Sequence, residues 1–85
     1  MKGHSFIEIG FGNLINVDRT IAVVGPDSSP IRRIVQDAKD RGAVIDASSG
    51  RKTRAVIIME SEQIVMSALT PEEIEQNMRE AVCDQ

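Results

Sequence analysis

The chain has 85 residues, with ten Lys or Arg against thirteen Asp or Glu and a formal net charge of -3. We expect a single domain over residues 1–85, because a second hydrophobic core could not be built from a chain this short. With two Phe and no Tyr or Trp, that core must come from aliphatic side chains and Met. The lone Cys83 excludes an intrachain disulfide and a cysteine-rich metal site.

Size also predicts self-association. A domain this small buries only about 60 to 65% of its unfolded surface, which leaves a monomer marginally stable. We therefore expect exposed apolar strand faces to be covered by identical neighbours.

The start of the chain predicts a cytoplasmic protein. Residues 1–5 lack the apolar segment of a signal peptide, and no run of the chain approaches the ~18 apolar residues of a membrane span. His4 has no Cys or His nearby, so we expect it to be exposed and unspecialised.

The first quarter of the chain predicts two strands. Alternating or β-branched apolar residues mark them at residues 5–9 and 20–24, and residues 14–17 extend the apolar pattern between them. Asp18 and Arg19 form the second turn. Because turns on one edge of a sheet present their charges side by side, we expect Arg19 to lie beside the central cations described below. The alternative is a local ion pair with Asp18.

The first turn, Gly10-Phe11-Gly12-Asn13, places an aromatic residue between two glycines. Glycine permits positive φ and close backbone approach, which suits a bulge, a tight turn or a subunit contact. A phosphate-cradling loop is the sharper alternative. It is less favoured, because the full Gly-x-Gly-x-x-Gly pattern and a following helix are both missing.

A helix is predicted over residues 30–41, with a serine N-cap, Pro30 at its first position and Gly42 as its terminator. Its apolar stripe follows helical spacing and contains Ile31, Ile34, Val35 and Ala38. Arg32 and Arg33 lie off the stripe, near the positive end of the helix dipole. They are candidates for DNA or subunit contact, or for pairing with an acidic neighbour such as Asp37.

The centre of the chain carries a basic turn. Residues 43–47 predict a short strand, residues 55–59 predict a well-buried strand that returns from it, and the polar segment between them contains Arg51, Lys52 and Arg54. We expect these cations at the tip of a hairpin. A guanidinium fork and an ammonium point charge suit phosphate, although carboxylate partners and a simply solvated surface also fit the pattern.

Residues 60–62 predict the turn of a second hairpin, in which residues 63–69 form the final strand and pair with residues 55–59. A helix follows over about residues 71–82. Thr70, Pro71 and Glu73 have the spacing of a capping box. The resulting fold class is α+β, with a small, mostly antiparallel sheet of about five short strands and two helices.

Charge is unevenly distributed along the chain. Residues 70–85 carry five acidic residues against one arginine, whereas residues 1–69 carry nine Lys or Arg against eight Asp or Glu. Debye screening over about 8 Å lets the basic turn act independently of a distant acidic helix. The negative total therefore does not exclude a nucleic-acid partner.

Three blocks of the chain resemble those of the RemA family of bacterial extracellular-matrix regulatory proteins: IGFGN at residues 9–13, SPIRR at residues 29–33 and DASSGRKTRAV at residues 46–56. The similarity covers roughly residues 5 to 70. It implies a DNA-binding transcriptional regulator, assembled as a ring-shaped homo-oligomer, that in characterised relatives activates biofilm-matrix genes. Two residues depart from the family pattern: Lys52 stands where many members carry Arg, and Ser49 replaces an aromatic residue often found before the glycine.

On this reading the partners are double-stranded DNA and further copies of the chain. Arg51, Lys52 and Arg54 are the contact residues, Arg19 is an auxiliary, and Arg32 and Arg33 are lesser candidates. Repetition around a ring would raise the effective concentration of each weak basic turn, and DNA deformability would supply most of the selectivity.

The main alternative is a structural, ring-forming assembly protein that uses the same cations to bind an acidic protein partner. RNA is less favoured, because paired aromatic residues for base stacking are missing. We do not expect an enzyme, a cofactor, a metal, a small-molecule substrate or a membrane partner, because no catalytic set, ligand cluster or complete phosphate loop is visible.

Overall fold

The computed structural model describes residues 6–83, with side chains through residue 80. It confirms the α+β class with two helices, but it contains six strands in two sheets rather than about five in one. In chain order the elements are β1 (Phe6–Glu8), β2 (Leu14–Asn16), β3 (Thr20–Val24), α1 (Ser29–Asp40), β4 (Val44–Asp46), β5 (Ala55–Met59), β6 (Ile64–Ser67) and α2 (Pro71–Cys83). The expectations for His4 and for the Cys83 side chain lie outside this description.

The strands form a two-stranded ribbon and a four-stranded sheet. β1 and β2 pair antiparallel, with Ile7 opposite Ile15. The larger sheet has the order β3-β5-β6-β4, in which only the β4–β6 pair is parallel. β3 and β4 therefore form its two edges, and they run in the same direction.

The expected hairpin between β4 and β5 is wrong, because β6 lies between these two strands. β5 is the most apolar strand and is buried best when it has a neighbour on each side, here β3 and β6. β4 then pairs with the outer side of β6, with Ile45 opposite Val65. The expected hairpin between β5 and β6 is confirmed, with Ile57 opposite Val65.

Alternation along β5 and β6 builds a core on each face of the sheet. Val56 and Ile64 face α1 and pack with Ala38. On the other face, Ile57 and Val65 pack with residues of the β1–β2 ribbon and with Ile74 of α2. The two helices therefore cover opposite faces.

Local capping chemistry sets the helix ends. The Ser28 hydroxyl accepts a hydrogen bond from the Ile31 backbone N–H, and Gly42 ends α1 with a φ of 71°. α1 runs one residue earlier than expected, and Ile34 is 38% exposed instead of packing in the core. The capping box of α2 is confirmed: the Glu73 N–H donates to the Thr70 hydroxyl at 3.1 Å, and the Thr70 N–H donates to the Glu73 carboxylate at 2.9 Å.

The four-stranded sheet has two distinct ends. At one end, which we call the basic end, β3, β4 and β6 finish and β5 begins, directly after Arg54. At the opposite end, which we call the Arg19 end, β3 begins directly after Arg19 and β5 finishes. No helix in the described part of the chain is long and apolar enough to cross a membrane.

Candidate nucleic-acid interface

The basic turn, residues 47–54, is built on a tight reversal of the backbone. The Arg51 N–H donates to the Ser48 carbonyl at 2.9 Å, and the two residues between them, Ser49 and Gly50, have φ values of 54° and 79°. Positive φ at both central positions is the geometry of a type I′ turn. The cations therefore follow a fixed bend.

Asp46 anchors the start of this turn. Its carboxylate accepts hydrogen bonds from the Ser48 hydroxyl at 2.6 Å and from the Ser48 N–H at 3.0 Å. These two bonds, the hydroxyl first, hold the pKa of Asp46 below its usual value of 3.8. The turn is thus held by a carboxylate that is ionised at neutral pH.

Ser67 joins the basic turn to the rest of the basic end. Its side chain is fully buried, donates to the Ile9 carbonyl at 2.7 Å and accepts from the Leu69 N–H at 3.0 Å. Its own carbonyl accepts from the Arg54 N–H at 2.8 Å. One serine therefore connects the turn, the end of β1 and the approach to α2.

The Gly10-Phe11-Gly12-Asn13 loop lies against the basic turn and repeats its geometry. The Asn13 N–H donates to the Gly10 carbonyl at 3.0 Å, and Phe11 and Gly12 have φ values of 55° and 77°. The Asn13 side-chain amide donates to the Ala47 carbonyl at 3.3 Å. The loop is a tight turn, one of the three possibilities expected for it, and it is fixed to the start of the basic turn.

Phe11 and Arg51 bring the two turns into contact. The guanidinium carbon lies 5.7 Å from the centre of the Phe11 ring, within cation–π range. Beside this pair is a cleft of about 340 Å³ lined by Phe11, Arg51, Lys52, Arg54, Leu69 and Glu73, among others. The basic end is thus a concave surface that combines cations with an aromatic ring.

Arg51, Lys52 and Arg54 form no salt bridge with any residue that the structure describes. All three side chains are exposed. Their charges therefore remain available to an external anion.

The structure does not bring Arg19 to this cluster, so the expectation that they lie side by side is wrong within one chain. Arg19 lies beyond the other end of β5, where its carbonyl accepts from the Glu60 N–H, roughly 20 Å along the strand direction from Arg54 for six residues at about 3.3 Å each. Its guanidinium pairs with Glu60 at 3.1 Å, and not with Asp18. Turns that follow each other in the chain alternate between the two ends of a sheet, which explains the separation.

Arg32 and Arg33 lie in the first turns of α1, which starts at the basic end but covers the opposite face from α2. The suggested partner, Asp37, instead pairs with Arg41 at 3.8 Å. The two arginines therefore share an end of the sheet with the basic turn, on its other side.

Phe11, Ser67 and Glu73 belong to the site although the sequence did not assign them to it. An aromatic residue between two glycines is a usable signal for Phe11, because an exposed ring on a strained turn is unusual. Ser67 and Glu73 have no comparable signal, since their place depends on how β6 and α2 meet the two turns.

The chain matches the model of the RemA-like family, described as extracellular matrix regulatory protein A-like, over residues 6–78. It belongs to this family. The match includes both turns of the basic end. Extracellular matrix regulatory protein A of Bacillus subtilis is 54% identical over 68 residues, which span 80% of this chain and 76% of that protein.

Two further RemA-like relatives are named as regulatory proteins. The one from Bacillus pumilus is 49% identical over 81 residues, covering 93% of this chain and 91% of the relative. The one from Rippkaea orientalis is 51% identical over 74 residues, covering 87% and 83%. The likeness thus extends over most of each protein.

Proposed function

We propose that this RemA-like protein is a DNA-binding transcriptional regulator that contacts duplex DNA through Arg51, Lys52 and Arg54 on a ring-shaped homo-oligomer. The name of the Bacillus subtilis relative supports a role in regulating extracellular-matrix genes, and thus biofilm formation. A regulator of this kind acts in the cytoplasm, and its function is binding rather than catalysis.

The observation that carries the proposal is a fixed turn with three cations that lack carboxylate partners among the described residues. Two guanidinium groups and one ammonium group match the negative charge and oxygen geometry of a phosphate backbone. The hydrogen bond from the Ser48 hydroxyl to Asp46 and the one from the Arg54 N–H to the Ser67 carbonyl hold the turn in place, so little conformational entropy is lost on binding.

Exposed apolar side chains on the two edge strands support self-assembly. Ile21 on β3 is 64% exposed, and Ile45 on β4 is 48% exposed. An open groove of about 490 Å³ beside Ile21 runs between β3 and α2. Since β3 and β4 run in the same direction, the β4 edge of one copy can meet the β3 edge of the next in a repeating head-to-tail contact.

The charges of the two helices disfavour a face-to-face dimer. α1 carries three cations against two carboxylates, whereas α2 carries four carboxylates against one arginine, and they lie on opposite faces of the sheet. Opposite charges on opposite faces favour head-to-tail over face-to-face contacts, which would bring like charges together.

Several copies of the basic turn in one ring can bind duplex DNA firmly, although each turn alone binds it weakly. Phosphate contacts at physiological salt give non-specific dissociation constants of roughly 10⁻⁴ to 10⁻⁶ M. Once one turn is bound, its neighbours in a ring act at high effective concentration. Curving a 20 to 30 bp site costs on the order of 1 to 6 kcal/mol, which several such contacts offset. DNA deformability then contributes to selectivity.

The experiment is a comparison of duplex binding by fluorescence anisotropy across a salt series. Arg51→Ala/Arg54→Ala is compared with the native protein and with Arg41→Ala/Arg79→Ala. The second variant removes the same charge from two arginines that are already paired, Arg41 with Asp37 directly after α1 and Arg79 with Glu75 on α2. We expect the first variant to lose at least about tenfold in affinity at physiological salt and the second to stay close to the native protein.

Oligomer size is measured on the same samples by light scattering. Loss of binding in an intact oligomer supports the basic turn as the duplex site. If both variants bind DNA as the native protein does, the basic turn is not that site, and an acidic protein partner becomes its better assignment.

A further inference from the structure

The cleft at the basic end is large enough to hold a small ligand, and it is concave rather than a flat charged surface. Its volume is about 340 Å³, at the lower end of the range for small-molecule pockets. Leu69 and Ala68 form apolar parts of its lining, and the three cations of the basic turn stand around them. One nucleotide fills a space of this order.

The aromatic residue of the cleft is held exposed at a conformational cost. Phe11 is 54% exposed and has a φ of 55°, a region that bulky side chains rarely occupy. The Asn13 hydrogen bonds and a bond from the Gly12 N–H to the Glu8 carboxylate at 2.9 Å keep it there. Strained, exposed residues of this kind gather at ligand sites. The Phe11 ring and the Arg51 guanidinium are the two planar groups on which nucleobases stack.

The cleft also contains a carboxylate, in addition to its aromatic ring and its cations. Glu73 lines the cleft together with the cations, and one of its oxygens, Oε1, accepts from the Thr70 N–H. The other oxygen makes no hydrogen bond with the described residues. A DNA backbone offers only acceptors, so this carboxylate gains nothing from phosphate. A nucleobase edge with N–H groups supplies the donors it lacks.

From these observations we infer that the cleft between Phe11, the basic turn and Glu73 binds a free purine nucleotide, with guanine preferred over adenine. The base stacks on Phe11 and Arg51, the phosphates lie against Lys52 and Arg54, and Glu73 accepts from the base edge. Guanine is preferred because its N1–H and exocyclic amine are adjacent donors on one edge.

The inference goes beyond the proposed DNA binding and shares its cations. A nucleotide whose base covers Arg51 and whose phosphates neutralise Lys52 and Arg54 blocks the cations that duplex DNA requires. Nucleotide and duplex therefore compete, and a small phosphorylated molecule controls the occupancy of the DNA site.

The test is calorimetric titration of the full chain with GDP, ADP, guanosine and pyrophosphate, without divalent metal. We expect GDP to bind about tenfold more tightly than ADP, and at least tenfold more tightly than guanosine or pyrophosphate. Saturating GDP weakens the affinity for duplex DNA by at least fivefold.

Two variants separate base recognition from charge. Phe11→Leu keeps apolar bulk but removes the ring, and it lowers GDP affinity at least fivefold, the lower bound for a lost stacking contact. Glu73→Gln keeps an oxygen for the Thr70 cap and abolishes the preference for GDP over ADP. Thermal unfolding of both variants checks that the fold is intact.

The outcomes distinguish this inference from the proposed function. Equal binding of GDP and pyrophosphate, unchanged in both variants, overturns it, because the cations then recognise phosphate alone. Duplex binding without GDP binding also overturns it and leaves the proposed function standing. Binding of a guanine-containing single strand but not GDP overturns the assignment to a free nucleotide. GDP binding without duplex binding supports the nucleotide site and overturns the proposed function.

Discussion

The cations at the basic end and at the Arg19 end of the same sheet differ in whether a carboxylate pairs with them. At the basic end, three cations have no carboxylate partner among the described residues, and an aromatic ring lies over one of them. At the Arg19 end, the cation is paired with Glu60, and Glu62 lies in the same turn. Whether a basic residue in a small acidic protein can bind an external anion is therefore known only once its neighbours in space are known.

Backbone strain follows the same division in part. Among the described residues, three that are not glycine have positive φ: Phe11 and Ser49 at the basic end, and Glu62 at the Arg19 end. The two at the basic end occupy equivalent positions in adjacent turns of the same type. This pairing of strained turns is what places Phe11 over Arg51.

Charge reversal at each end has the largest expected effect on DNA binding. We expect Arg51→Glu/Arg54→Glu to abolish duplex binding at physiological salt, because it replaces two phosphate contacts with repulsion. Arg19→Glu, at the end where Glu60 already pairs with the cation, lowers affinity by less than about tenfold. Gel-shift titrations of the two variants give the comparison. An equal loss in both would place DNA contact at both ends.

Ser67 tests whether the basic end is held together as described. Ser67→Ala leaves the buried Ile9 carbonyl without its donor and is expected to destabilise the fold by about 1 to 3 kcal/mol. Ser61→Ala, in the exposed turn at the Arg19 end, is the matched control and stays within about 0.5 kcal/mol. Urea denaturation at fixed protein concentration measures both. Equal effects would mean that the Ser67 hydroxyl is not a structural link.

The Asp46 carboxylate makes the stability of the basic end depend on pH. Because its pKa is lowered in the folded chain, its stabilising effect is fully present above its unfolded value of about 3.8 and is lost as pH falls through the lower folded value. The stability difference between the native chain and Asp46→Asn is therefore constant from pH 5 to 8 and shrinks below about pH 4. A difference that changes between pH 6 and 8 would contradict this assignment.

The smallest expected effect comes from relieving strain at one residue of each end. Asparagine tolerates positive φ better than serine or glutamate, so Ser49→Asn and Glu62→Asn should each stabilise the fold by roughly 0.5 kcal/mol. Thermal unfolding measures both. Destabilisation by Ser49→Asn alone would show that the serine side chain has a role that its backbone geometry does not explain.

Local chemistry predicted much of the fold. The bounds of β3 and β5 follow from β-branched runs between turn residues, and Thr70, Glu73 and Gly42 act at the helix ends as expected. The pairing of β4 was wrong because strand order depends on which strand most needs two neighbours, a property of the whole sheet.

The site was only partly predictable for the same reason. The sequence placed three cations together in one turn, since they are neighbours in the chain. It could not show that Phe11 lies over Arg51, that Ser67 joins the two turns, or that Arg19 lies at the far end, because each depends on residues distant in sequence.

Hydrogen–deuterium exchange of the native protein, with and without duplex DNA at low salt, tests directly whether the basic turn is the DNA contact. We expect slower exchange in residues 47–54 upon DNA binding, with no change in residues 17–20 and 59–63. Protection confined to the Arg19 end, or unchanged exchange throughout under conditions where DNA is bound, would contradict it.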